Sequence, residues 1–271
     1  MSTVTQSPAD YDFLQVEPAE QYHAQRGRYL SSHLLADFRR CPQLYWLKVN
    51  DILPEEDRPA FALGRAAHSL ILEGRAAFNS EFTIGGPINP RTGQPYGQET
   101  KAWKDREACL GKTILTDAQY AQVDRMDVSV RAHAAAAELL ASGVAERVVR
   151  ATYGVACQIR LDWFDLETGI VDLKTCDDLT YFEADARRFG YLFQCAFYRA
   201  VLAAKTGLCV PVHLIAVEKK EPYRTGVWKL DPEALRFAES QNAAAIERLK
   251  RCQANDSWPT GFEDVRIFDA F

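Results

Sequence analysis

Two aspartates and a lysine lie on neighbouring β-prone segments of the chain. Asp162 belongs to the first segment, and Asp172 and Lys174 belong to the second. Residues 167–169 between them have the composition of a turn, so the sequence predicts a β-hairpin. Centred on Glu167, this hairpin pairs Asp162 with Asp172. Lys174 follows Asp172 on the same face because side chains alternate along a strand.

The paired aspartates suit one kind of chemistry in particular. Two neighbouring carboxylates repel each other unless a cation lies between them. Mg²⁺ prefers oxygen ligands and is commonly bound by one or two carboxylates together with substrate phosphate. The pattern therefore indicates metal-assisted hydrolysis of a phosphate ester, with Lys174 orienting the water or stabilising charge on the phosphate. An ordinary Asp–Lys pair on a polar strand is the alternative interpretation.

The composition excludes several classes of protein. The chain has 271 residues, of which 47% are hydrophobic and 25% charged, as in ordinary globular proteins. A net charge of −5 excludes a uniformly basic nucleic-acid coat but allows a local basic groove. Seven cysteines without a CxxC pair predict reduced thiols. We expect a cytoplasmic protein, because the sequence has neither a leader-like start nor an apolar run of about 18 residues.

The segments around the hairpin predict a single α/β domain. Residues 1–27 are polar and are predicted to be loosely ordered, and the domain covers residues 28–271. Helices that flank a short, mixed β-sheet are typical of this class. The main predicted helices cover about 61–73, 117–142, 183–205 and 232–252, and the strand regions cover about 150–175, 212–218 and 225–230.

Two further residue pairs have helical spacing. Gly64 and His68 are four residues apart in one predicted helix, and Gln194 and Tyr198 are four apart in another. Residues at this spacing share a helix face. Each pair alone also fits an ordinary helix, in which the histidine is a core residue and the polar face is solvated.

In this order the motifs resemble those of PD-(D/E)XK nucleases. Asp162 corresponds to the first acid and residues 172–174 to the (D/E)XK element. Residues 64–68 resemble the GxxxH helix, and residues 194–198 the QxxxY helix, of the RecE-like and RecB-like branch. The motifs are close to those of the RecE-type exodeoxyribonuclease VIII domain, although Leu161 stands where this branch often has proline. The resemblance implies a restriction-endonuclease-like core, with a short mixed sheet flanked by helices.

The resemblance also implies roles for individual residues. Lys174 positions the nucleophile, Gln194 orients the site, and Tyr198 contacts DNA or the scissile region. Glu146 is the best-placed candidate for an acid that joins the metal site from a helix before the hairpin, and a solvated turn acid is the alternative. The implied ligands of one or two Mg²⁺ or Mn²⁺ ions are His68, Asp162, Asp172, Glu146 and the carbonyl of Leu173. The implied catalytic residues are Asp162, Asp172, Lys174, Gln194 and Tyr198.

Candidate DNA contacts come from basic and hydroxyl side chains. Arg26, Arg28 and Ser32 lie at the start of a predicted helix, whose N-terminus favours an anion, although an ordinary capped helix fits equally well. Arg187 continues the predicted face of the QxxxY helix. Lys104 lies among basic and aromatic residues that suit a nucleic-acid strand, or simply a solvated loop. The full set is Arg26, Arg28, Ser32, Arg160, Arg187 and Lys104.

The activity implied by the resemblance is digestion of linear double-stranded DNA from its ends. It is implied to be processive, to run 5′→3′ and to leave a 3′ single strand for recombination, as in phage systems. The resemblance further implies a homo-oligomeric ring, a trimer or tetramer, around DNA. A ring would account for processivity in a chain that contains no P-loop motif to drive translocation. A single-strand annealing protein is the implied partner. The alternatives are a RecB-like single-strand or flap nuclease of a repair or defence complex, and a catalytically silent DNA-binding protein.

Overall fold

A six-stranded mixed sheet forms the centre of the protein. The computed structural model describes residues 11–53 and 59–268. The spatial order of the sheet is β1-β4-β5-β6-β7-β8, with β6 and β7 parallel and the other neighbours antiparallel, while β2 and β3 form a separate parallel pair. The strands are β1 Gln15–Val16, β2 Phe82–Ile84, β3 Thr113–Leu115, β4 Val144–Tyr153, β5 Val155–Asp165, β6 Gly169–Cys176, β7 Val212–Glu218 and β8 Thr225–Lys229.

Helices cover both faces of this sheet, which confirms the predicted class. Those that pack on one face include α2, α10 and α11, and those on the other include α4, α7 and α8. No helix among the described residues is long and apolar enough to cross a membrane. The helices are α1 Ala19–Ala24, α2 Ser32–Arg40, α3 Pro42–Val49, α4 Pro59–His68, α5 Arg75–Glu81, α6 Lys101–Leu110, α7 Asp117–Ala132, α8 Ala134–Leu139, α9 Phe182–Phe189, α10 Tyr191–Thr206 and α11 Pro232–Asn255.

Strand β6 is buried on both faces and therefore belongs to two apolar cores. Ile170 packs in the core beneath α10, while Val171 and Leu173 pack in the core beneath α4 and α7. A strand covered by helices on both faces reads as a continuous apolar run rather than as an alternating one. Asp172 interrupts this run although it is only 1% exposed, so its carboxylate must be compensated by neighbouring groups.

Two predicted boundaries were wrong, one within 183–205 and one at about residue 150. The helix predicted over 183–205 is two helices, because Gly190 adopts a left-handed φ of 74° and ends α9. The helices predicted over about 117–142 are α7, which ends at Ala132, and α8, which the side chain of His133 caps. The strand region predicted from about 150 begins at Val144, since β4 pairs with β5 along nearly its whole length.

The N-terminal segment predicted to be loosely ordered is structured over residues 11–27. Strand β1 pairs with β4, and Tyr22 of α1 is buried. The buried carboxylate of Glu17 forms an ion pair of 2.7 Å with Arg150 of β4. These long-range contacts order a polar segment whose composition alone suggested otherwise. Residues 1–10 of the predicted segment lie outside the described residues.

We expect Phe197→Ala to lower the free energy of unfolding by about 3–5 kcal/mol, since it leaves a cavity in the core beneath α10. Phe197 is fully buried, whereas Phe237 of α11 is 59% exposed. Phe237→Ala is the matched control and should change the stability by less than about 0.5 kcal/mol. Urea unfolding of both variants measures the difference, and equal losses would contradict this assignment of the core.

Candidate active site

The β5–β6 hairpin opens where its two aspartates lie. The ladder pairs Asp165 with Gly169 and continues to Trp163 with Val171, which confirms the register predicted for a hairpin centred on Glu167. The next position would pair Asp162 with Asp172. There the carboxylate of Asp162 instead accepts a hydrogen bond of 2.9 Å from the backbone N–H of Leu173. The side chain of Asp162 thus takes the place of a backbone carbonyl in the ladder, and β5 and β6 separate from this point onwards.

Glu146 reaches the same place from β4. Ala145 pairs with Trp163 and Arg147 with Leu161, which leaves Glu146 opposite Asp162. Glu146 has a φ of 52°, a left-handed conformation that is costly for a residue with a side chain and that clusters at functional sites. The sequence placed Glu146 before the strands, which was wrong, because Glu146 lies inside β4.

His68 reaches the site from α4, a helix that packs against β6. It ends α4, and a π-helical turn, Ser69–Glu73, follows at once. Such turns are rare in proteins overall, but those that occur are often found at functional sites. The ring Nδ1 lies 3.6 Å from Asp162 Oδ2, and 27% of the side chain remains open to solvent. Gly64 lies against β6, where an added Cβ would be 3.9 Å from Thr175 Oγ1, so this glycine is not required for close approach.

His68, Glu146 and Asp162 form a group that suits a divalent cation. One ligand atom from each of the three lies within 4.8 Å of the other two. Desolvation lowers the pKa of His68 although the charge of Asp162 opposes this shift, which favours a neutral imidazole that can offer a nitrogen lone pair. The structure therefore brings together three of the predicted metal ligands, with the backbone of a fourth, Leu173, beside them.

Asp172 lies outside this group and contacts Lys174 instead. Lys174 Nζ is 2.6 Å from Asp172 Oδ2, an ion pair by distance without the alignment of a hydrogen bond. The other carboxylate oxygen, Oδ1, is buried and has no hydrogen-bond partner among the described residues. A buried acceptor without a partner is costly unless a cation or donor reaches it. This unpartnered oxygen beside a His–Glu–Asp group fits the bound metal that the predicted ligand set requires.

A chain of polar contacts runs from Lys174 into α10. Lys174 Nζ donates to Gln194 Oε1 at 3.3 Å, and Gln194 Nε2 donates to the hydroxyl of Tyr198 at 2.8 Å. The ammonium group also lies 4.8 Å from the ring centre of Tyr191, a cation–π contact. The predicted pairing of Gln194 and Tyr198 on one helix face is thus present. Tyr198 is buried beneath Gln194, so its nearest partner is a protein side chain.

Burial and like charge shift the pKa values of the acids upwards. Desolvation, with the neighbouring charge of Asp162, raises the pKa of Glu146 to about 8, while Arg160 opposes this shift from 2.5 Å. Burial likewise raises the pKa of Asp172 to about 7, and the opposing charge of Lys174 limits the rise. The Asp172 carboxylate in turn holds the pKa of Lys174 above its usual range, despite burial. Strongly perturbed groups of this kind concentrate at functional sites.

Of the six predicted DNA contacts, Arg160 is the one that contacts this site, through Glu146. Its Nη1 is buried and has no hydrogen-bond partner among the described residues. Ser32 is buried at the start of α2, and Arg28 is exposed near Tyr29. The other three form ion pairs: Arg26 with Asp51, Lys104 with Glu99, and Arg187 with Glu183.

Two expectations about these basic residues were wrong. Arg187 lies on α9 and does not continue the face of α10, because Gly190 separates the two helices. The segment around Lys104 is helix α6, whose Trp103 is buried and unavailable to stack on a base.

One acid near the site was not anticipated. Glu73 ends the π-helical turn after His68, and its charge contributes to the raised pKa of Glu146. It follows His68 by five residues, a spacing that does not share a face in an α-helix. Only the π-helical turn, which the sequence did not predict, brings it towards the site.

The fold and the site define a PD-(D/E)XK nuclease type of protein. The sequence profile of the PDDEXK-like domain of unknown function (DUF3799) matches residues 31–270. This match covers most of the chain, and the protein belongs to that family.

A solved structure supports the fold independently. A protein from Eubacterium rectale, provisionally described as an exonuclease, superposes with a TM-score of 0.68 over 94% of this chain and 95% of its own. Sequence identity is 17%, so the likeness concerns the fold. No curated protein sequence matches the chain significantly.

We expect Mn²⁺ or Mg²⁺ to raise the Tm of the protein, because a ligand that binds only the folded state stabilises it, by about 2.7 kcal/mol at one hundred times the Kd. Asp162→Asn keeps the shape of the side chain but removes its charge, and should abolish this gain. Glu167→Gln, an exposed acid at the turn of the same hairpin, is the matched control and should retain it. Thermal unfolding with and without the ion measures the effect.

The gain should also be larger at about pH 8.5 than at about pH 6.5, because bound metal requires deprotonated ligands. The pKa of Glu146 is raised to about 8, so at the lower pH the ion must displace a proton. An equal rise in Tm for Asp162→Asn and for the unmodified protein would contradict this metal site.

Proposed function

We propose that the protein is a metal-dependent exodeoxyribonuclease that hydrolyses phosphodiester bonds of linear double-stranded DNA. The observation that carries this proposal is the convergence of His68, Glu146 and Asp162 beside the Asp172–Lys174 pair. These residues come from three separate parts of the chain. Their positions match the roles that the PD-(D/E)XK resemblance implies, and family membership supports the same chemistry.

The residues that would hold one or two Mg²⁺ or Mn²⁺ ions are His68, Glu146, Asp162, Asp172 and the carbonyl of Leu173. The metal would lower the pKa of a water molecule and polarise a phosphoryl oxygen. The neutral imidazole of His68 can bind without displacing a proton. The unpartnered Oδ1 of Asp172 offers a further buried oxygen where β5 and β6 separate.

The other residues at the site would orient the attacking water and stabilise the negative charge that develops on the phosphate. Lys174 stays charged, because its pKa is raised, and can hold the attacking water or the developing negative charge on phosphate. Gln194 fixes the ammonium group from α10, and Tyr198 supports Gln194 from below. Arg160 Nε donates a hydrogen bond to Glu146, and its Nη1, which has no hydrogen-bond partner among the described residues, would donate to a phosphate oxygen.

The finer features of the proposal rest on the RecE-like motifs. We assign 5′→3′ digestion that leaves a 3′ single strand for recombination, a ring of three or four copies around DNA, and a single-strand annealing protein as partner. The related fold of the Eubacterium rectale protein, itself provisionally described as an exonuclease, supports digestion from an end. A RecB-like nuclease acting on single strands or flaps is the second candidate, because the GxxxH and QxxxY helices occur in both branches.

We expect the protein to degrade linear duplex DNA with 5′-phosphate ends when Mg²⁺ is present, and to be inactive with EDTA. Lys174→Ala should slow cleavage by about 10²–10⁴-fold, because it removes the group that orients the nucleophile. Glu167→Gln should retain full activity. The measurement compares end-labelled duplexes bearing 5′-phosphate or 5′-hydroxyl groups, circular duplex and single-stranded DNA, and follows which labelled end is released first.

Three outcomes of this assay decide between the candidates. Preferential cutting of single strands or flaps would favour the RecB-like alternative. Binding without cleavage under any metal would identify a catalytically silent DNA-binding protein. Unchanged cleavage by Lys174→Ala or Asp172→Ala would overturn the assigned site.

The ring has its own test. Native mass spectrometry at working concentration should show a trimer or a tetramer, since a head-to-tail interface between identical copies closes into a ring. A protein that remains monomeric, with and without duplex DNA, would contradict the ring while leaving the nuclease assignment intact.

A further inference from the structure

Two arginines on packed helices lie close together without an acidic partner. Arg39 lies in the last turn of α2, and Arg248 lies on α11. Arg248 Nη2 donates to the carbonyls of Phe38 and Arg39, at 3.3 and 3.5 Å. Across the described parts of the chain, no carboxylate forms an ion pair with either arginine. Burial and the charge of Arg248 both lower the pKa of Arg39. The pair therefore concentrates positive charge that the protein itself does not neutralise.

The guanidinium group of Arg39 is held in place by two contacts. It lies 3.4 Å from the ring centre of Phe193 on α10, and its Nη1 donates to Asn242 Oδ1 at 3.3 Å. Asn242 is only 1% exposed, and its Nδ2 donates to the carbonyl of Phe193 at 2.9 Å. A buried amide thus joins the arginine to the helix beneath it. This arrangement reduces the rotational freedom that Arg39 would lose on binding a ligand.

The arginine pair and the candidate active site both contact the first turn of α10. Phe193 directly precedes Gln194, which accepts the hydrogen bond from Lys174. Consecutive side chains of a helix point in different directions, so the two residues contact different neighbours, Phe193 towards Arg39 and Gln194 towards Lys174. A polymer whose scissile bond lies at Lys174 would pass close to this part of α10.

The chemistry of the pair suits a phosphate group. Planar guanidinium groups bind phosphate oxygens through two parallel hydrogen bonds, and they tolerate partial burial better than ammonium groups do. The chain as a whole has a net charge of −5, so an acid-free pair of arginines is a local exception to its overall charge. Arg251, one turn along α11 from Arg248, also has no ion-pair partner among the described residues.

We propose that Arg39 and Arg248 form a phosphate subsite that holds the backbone of the DNA strand beside the active site. This inference rests on the proposed function and adds a contact that the sequence motifs do not include. Arg39 supplies the hydrogen-bonding edge. Arg248 supplies the second positive charge and satisfies the last carbonyls of α2, which would otherwise repel an anion.

The test is DNA binding by Arg39→Gln, measured by fluorescence anisotropy with a labelled duplex in EDTA, so that the strand stays intact. We expect affinity to fall about five- to ten-fold at low salt. The slope of log K against log salt should decrease by about 0.9, the value for one lost phosphate contact. Arg236→Gln is the matched control, because Arg236 is an exposed arginine of the same helix that already pairs with Glu233. It should bind with the affinity and slope of the unmodified protein.

Arg39→Gln with unchanged affinity and slope would overturn the subsite. Thermal unfolding checks that this variant is folded; if it is not, Arg39→Lys replaces it. The lysine keeps the charge but loses the planar fork, so we expect about two- to three-fold weaker binding, and unchanged binding would again overturn the subsite. If the unmodified protein cleaves DNA and only the subsite prediction fails, the proposed function stands. If the unmodified protein neither binds nor cleaves DNA, both proposals fall.

Discussion

The carboxylate of Asp172 lies in the middle of a strand that is buried on both faces, and much of the site follows from the need to compensate it. A buried charge is tolerated only where opposite charges or hydrogen bonds replace water. Lys174 offsets part of the charge of Asp172, and Arg160 does the same for Glu146, although burial and like charge still raise both pKa values. Asp162 accepts the N–H of Leu173 and faces His68. Because each acid has its own partner, the acids can lie close together within the sheet.

Local departures from regular geometry create the space for these groups. The β5–β6 ladder is only three pairs long, Glu146 has a left-handed backbone within a strand, and α4 passes into a π-helical turn directly after His68. All three irregularities converge on Asp162. The surrounding apolar cores hold these conformations in place, at a cost in stability that is typical of functional sites.

The parallel pairing of β6 and β7 links the site to the rest of the molecule. Parallel neighbours require a crossover connection, and here the crossover consists of α9 and α10. This connection places Gln194 against Lys174 and, one residue earlier, Phe193 beneath Arg39. Lys174 and the proposed phosphate subsite are therefore supported by the same turn of one helix.

Much of the site was predictable, because it depends on local periodicity. The alternation of side chains placed Asp162, Asp172 and Lys174 on one hairpin, and helical spacing paired Gln194 with Tyr198. Periodicity did not predict the break at Gly190, and composition misjudged residues 11–27, whose order depends on distant partners such as Arg150.

By itself, then, the sequence determined which residue types recur at strand and helix spacing, and hence the mixed α/β class and its main motifs. Only the tertiary structure decided that Glu146 faces His68 and Asp162, that Asp172 pairs with Lys174, and that Arg39 stacks on Phe193. Contacts of this kind join residues that are far apart in the chain. They depend on strand register, backbone irregularity and helix packing, which no local pattern specifies.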